Sequence, residues 1–141
     1  MARDSDRNGG TDRRLLTLII VTYALAATLV VVESYRSWGV GRPILTVADD
    51  FAGAALLAWA AWLTGRPGER ARRIVVAVWG VICGVSLCNF SVKLLMPDRM
   101  TPGNLPPAML QTLVGLAFLV AFASLAASVL LPRANPKAGS E

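Results

Sequence analysis

A chain of 141 residues that is 55% hydrophobic, with a mean hydropathy of +0.54 and only 16% charged residues, is not composed like a soluble domain of its size. Its net charge of +5 calls for no nucleic-acid partner, because membrane topology and anionic lipid account for it. With no histidine and two cysteines, the usual haem and zinc sites lack a ligand set, and no cofactor or metal is expected.

Residues 1–14 are polar, mixed in charge and glycine-containing, which predicts a disordered tail. Four apolar stretches follow, Leu15–Val32, Ile44–Thr64, Ile74–Val92 and Ala108–Leu131, of 18, 21, 19 and 24 residues. About 20 residues cross a hydrocarbon core of roughly 30 Å. The pattern predicts an all-α, four-span transmembrane helix bundle over 15–132, with spans at about 15–36, 44–64, 74–95 and 107–131, and a short tail at 133–141. The basic pair Arg13-Arg14 before an apolar run resembles a secretory signal. The run continues to Val32 without a break, however, and is read as a retained span.

The connections are punctuated by Gly and Pro: Trp38–Pro43 after the first span, Gly65–Gly68 after the second, and Pro97–Pro107 after the third. Pro43 suits the opening turn of a helix, Gly65 suits a helix end, and four prolines rigidify the third connection. With the N-terminus in the cytoplasm, ten Lys and Arg residues fall inside and four outside. The Arg66–Arg73 loop is the strongest vote for that orientation under the positive-inside rule, and both termini are placed in the cytoplasm. Tyr35 and Trp38 near one boundary, and Trp59 and Trp62 near the other, match interfacial aromatic belts. Twelve of the fourteen cations are Arg, a usage that points to a bacterial plasma membrane.

Projected at about 100° per residue, the second span puts Phe51, Ala55, Trp59 and Trp62 on one arc. Asp49 and Asp50 straddle the opposite face with Gly53, Ala60 and Thr64, so the aromatics are expected toward lipid and the acids inward. In the third span Ser86, Asn89 and Lys93 share a face. Gly80, Gly84 and Ser91 form a small-residue row suited to helix contact, and Val78, Val81, Val85 and Val92 are left for lipid. Cys83 and Cys88 point about 140° apart, too divergent for a disulfide. The first span ends at Glu33, aligned with Thr22, Ala26 and Leu29, with Arg36 one turn on. The fourth opens with Gln111 and carries a small-residue seam, Ala117, Ala121, Ser124 and Ser128.

Carboxylates inside a span cost several kcal/mol and mark function by default. Glu33, Asp49, Asp50, Asn89, Lys93 and Gln111 all fall toward the outer ends of their spans. Together they form one polar layer, the site for a ligand or partner. A structural reading competes: Lys93 paired with Asp49, Asp50 or Glu33, and Glu33 with Arg36, would lock the bundle register.

In size and span count the chain resembles the small multidrug transporters. Their essential glutamate lies well inside the first helix, whereas Glu33 lies at its end. Adjacent aspartates diverge by about 100° on a helix, poor geometry for a shared metal, and no nucleophile elbow or redox CxxC is present. The sequence therefore predicts a non-enzymatic binding or assembly subunit of the plasma membrane. Its partners would be the lipid bilayer and a second copy or another membrane protein at the small-residue faces. The alternative is a small cation- or proton-coupled transporter acting as an oligomer.

Overall fold

The computed structural model describes residues 3–41, 44–96 and 103–130, with side chains from Arg13 onward except those of residues 45 and 46. The described residues are all-helical, with four helices among them: α1 (Arg3–Ser37), α2 (Ile44–Thr64), α3 (Glu69–Leu95) and α4 (Pro107–Leu130). The helical class and the number of helices agree with the sequence reading. Arg13–Ser37 of α1, together with α3 and α4, is long and apolar enough to cross a membrane.

Helical backbone in α1 extends back through the polar stretch to Arg3. Once a helix is nucleated, adding a residue is cheap, so the apolar segment can propagate helix into its polar flank. At the other end of α1 the chain turns through Gly39, whose φ of 70° is left-handed and suits a residue without a Cβ. The α2–α3 connection is closed by a bond from the Arg66 N–H to the Leu63 carbonyl at 2.9 Å. The Arg66 guanidinium lies 3.6 Å from the centre of the Trp62 ring, a cation–π contact. Gly68, at φ 126°, leads into α3. Pro107 occupies the first position of α4, where its missing N–H costs nothing.

Neighbours in sequence are neighbours in space. The α1/α2 and α3/α4 pairs pack most extensively, α2/α3 less, and α1/α4 less again. Antiparallel order is visible in the contacts: Arg72 at the start of α3 donates to the Val129 carbonyl near the end of α4 at 2.7 Å.

The core sits in the half of the molecule that contains the α2–α3 turn. Trp79, Leu57, Ala60 and Ala121 are wholly buried there, with Leu18, Val75, Val78 and Ile82 around them. Four of these, Val75, Val78, Trp79 and Ile82, form one stripe of α3 at i, i+3, i+4 and i+7, the spacing of a single helical face. The seam of α4 faces the same way, with Ala121, Ser124 and Ser128 buried.

Phe51, Trp59 and Trp62, expected on the outer face of α2, are exposed. One reading of α3 is corrected: Val78 belongs to the core, whereas Val81, Val85 and Val92 are exposed. Gly80 and Gly84 point away from the bundle, and a Cβ added to either would meet nothing within 4 Å. A helical wheel fixes angles only within one helix, and Trp79 turns α3 so that the glycines face out.

Candidate functional site

The site is built on the last turn of α1. Glu33, Arg36 and Ser37 stand at i, i+3 and i+4, hence on one face. Ser37 Oγ donates to Glu33 Oε1 at 2.7 Å, and Arg36 Nη1 donates to Glu33 Oε2 at 3.3 Å. Both oxygens of Glu33 are thus engaged locally, and the residue is only 2% exposed, with Arg36 at 8%. From α2, Asp50 comes into hydrogen-bond contact with Glu33 and feels the charges of Arg36 and Asp49.

A loop from the far side of the chain closes this cluster. Asn104, just before α4, donates its Nδ2 to the carbonyls of Tyr35 at 2.9 Å and Trp38 at 2.8 Å. Carbonyls at a helix end lack intrahelical donors, so Asn104 caps α1 from 66 and 69 residues away. Beside it, Gly103 lies so close that an added Cβ would stand 3.2 Å from the Arg36 carbonyl oxygen. The close approach demands glycine. Below the charges, a cavity of about 90 Å³ is bounded by Glu33, Arg36 and Asp50 at one end and by Leu29, Leu113 and Val114 among its apolar walls.

Of the six residues singled out from the sequence, the structure brings Glu33 and Asp50 together. Asp49 is adjacent but exposed, as is Asn89. Lys93 and Gln111 are half-buried on α3 and α4, and neither lines the cavity. The groups acting on Asp50 are Glu33, Arg36 and Asp49. α2 packs on α1 more extensively than on α3.

Arg36 was foreseeable as a local partner of Glu33 from its spacing, and Ser37, four residues after Glu33, carried the same signal. Asn104 and Gly103 carried none, because their partners are remote in sequence. Among the described residues no cluster of His, Cys, Asp or Glu is arranged to hold a metal, and both cysteines are free thiols. No protein-family model, curated protein or solved structure matches this chain. The functional reading therefore rests on the geometry alone.

Proposed function

We propose that the chain is a four-span protein of a bacterial-type plasma membrane, with both termini cytoplasmic, acting as a non-enzymatic assembly subunit. The fourth span is α2. Its 21 residues reach about 32 Å at 1.5 Å each, enough for a core of roughly 30 Å.

The observation that carries the reading is the closure of the polar cluster. Glu33 is 2% exposed and both of its oxygens accept hydrogen bonds. The adjoining cavity of about 90 Å³ is well below the roughly 300–1,000 Å³ of ordinary small-molecule sites. The cluster then serves to fix the register of α1, α2 and the loop before α4, and recognition moves to the outer surface. There Gly80, Gly84 and Cys88 are all exposed on α3 at i, i+4 and i+8, a face on which another helix can approach closely.

Cys88 supplies the test. Mild oxidation in native membranes should link two copies through Cys88, and Gly84→Leu should abolish the link while Cys88→Ser serves as the blank. Monomers throughout, with no co-purifying membrane partner, would refute the assembly role.

The second reading, a proton- or cation-coupled transporter acting as an oligomer, draws support from the Glu33–Asp50 contact beside that cavity. Against it stands the other half of the bundle, filled by Trp79, Leu57 and Ala60 at 0% exposure. Flux into proteoliposomes that is lost in Asp50→Asn would favour the transporter.

A further inference from the structure

A second, larger concavity lies at the opposite end of the bundle, between α1 and α4, which pack more sparsely than α1/α2, α2/α3 or α3/α4. It has a volume of about 640 Å³, and its walls include Leu18, Val21, Val120 and Ala127. Arg13 and Arg14 also line it and are exposed. Among the described residues neither arginine is in an ion pair.

The dimensions match one leaflet. From Arg13 to Val21 the wall of α1 rises about 12 Å, and from Val120 to Leu130 the wall of α4 rises about 15 Å, at 1.5 Å per residue. Half of a roughly 30 Å hydrocarbon core is about 15 Å. The guanidiniums thus lie at headgroup level, and the apolar walls run toward the bilayer centre.

We infer that this groove seats one anionic phospholipid, with an acyl chain along α1 and α4 and its phosphate on Arg13 and Arg14. The inference rests on the reading of α1 and α4 as membrane spans. Guanidinium pairs with phosphate in bidentate geometry, and basic pockets between spans favour anionic headgroups.

The test is native mass spectrometry of the full chain released from mild detergent with equimolar phosphatidylglycerol and phosphatidylcholine. Phosphatidylglycerol should be retained at least about tenfold more strongly, a difference of about 1.4 kcal/mol. The double variant Arg13→Gln/Arg14→Gln should erase that preference. Ala127→Phe, which fills the groove and keeps both arginines, should lower retention of either lipid. Should that variant fail to fold, Val120→Trp takes its place.

Equal retention of the two lipids overturns the inference, as does a preference that survives loss of both arginines. Undiminished retention in the groove-filling variants also overturns it, because the arginines would then act as a surface patch. So does competition by glycerol phosphate as effective as by phosphatidylglycerol, since a free phosphate would be the true ligand. A lipid-free dimer weakened by Ala127→Phe points to a second copy instead. Alkaline carbonate extraction separates the two levels: release from membranes refutes the spanning reading, whereas retention without lipid preference refutes the groove alone.

Discussion

Asp50 of α2 meets Glu33 of α1 in carboxyl-to-carboxyl contact, so a polar link between these helices joins two acids. An ionised carboxylate only accepts hydrogen bonds, and Asp50→Asn places a permanent N–H donor opposite Glu33. That variant is expected to keep or raise the unfolding temperature in detergent, whereas Asp50→Leu, which cannot hydrogen-bond, should lower it. A double-mutant cycle on Glu33→Gln and Asp50→Asn should show a coupling of at least about 0.5 kcal/mol, while Asp50→Asn with Lys93→Met should be additive. Coupling to Lys93 and none to Glu33 would overturn the assignment.

Arg36 and Ser37 hold Glu33 in a site with 2% exposure. Removing one partner of a buried ion pair leaves an uncompensated charge, at a cost of about 3–5 kcal/mol. Arg36→Met should therefore be strongly destabilising, and Arg36→Met with Glu33→Gln should recover a large part of the loss. Ser37→Ala removes a hydrogen bond to a charged group, worth about 1.5–3 kcal/mol. Chemical denaturation in mixed micelles would rank the three, and Ser37→Ala exceeding Arg36→Met would reverse the roles given to them.

The cap on α1 predicts a smaller, directional effect. Asn104→Ala deletes donors to the Tyr35 and Trp38 carbonyls, each bond worth about 0.5–1.5 kcal/mol. Asn104→Asp should be worse than Ala, because it brings negative charge to the negative end of the helix dipole. Hydrogen exchange at the amides of residues 33–40 should speed up in the same order. Equal exchange in Asp and Ala variants would argue against capping.

How far the sequence reaches is clear from particular residues. Apolar runs of 18 to 24 residues bounded by Gly and Pro announce helices directly, because length and punctuation are local properties. Glu33 and Asp50 also stood out, since acids within apolar runs are rare. Their partnership did not, because a wheel fixes angles within one helix and leaves the choice of neighbour open. The stripe Val75, Val78, Trp79 and Ile82 was present at core spacing, but the Gly80–Gly84 pair offered a second face for helix contact. Only the packing of Trp79, at 0% exposure, decides between them. Asn104 and Gly103 act on residues more than sixty positions earlier, which no local pattern encodes.

Glycine positions give the sharpest contrast between inner and outer faces. A Cβ at Gly115 would stand 3.0 Å from the Phe90 ring, and that ring stacks on Phe118 at a centroid distance of 6.5 Å. Gly115→Ala thus forces Phe90 to shift, and overpacking of this kind costs about 1–3 kcal/mol. The better helix propensity of alanine returns up to about 1 kcal/mol. A net loss is expected, relieved by adding Phe90→Leu. Gly80→Ala and Gly84→Ala meet open space and should stabilise the isolated protomer by up to about 1 kcal/mol through propensity. In membranes the same two variants should weaken any complex formed on that face, because close helix approach depends on the missing Cβ. Thermal unfolding of the monomer and cross-linking yield in the bilayer should therefore move in opposite directions. If the cross-linking yield rises with the unfolding temperature in Gly80→Ala and Gly84→Ala, close helix approach at these glycines is refuted.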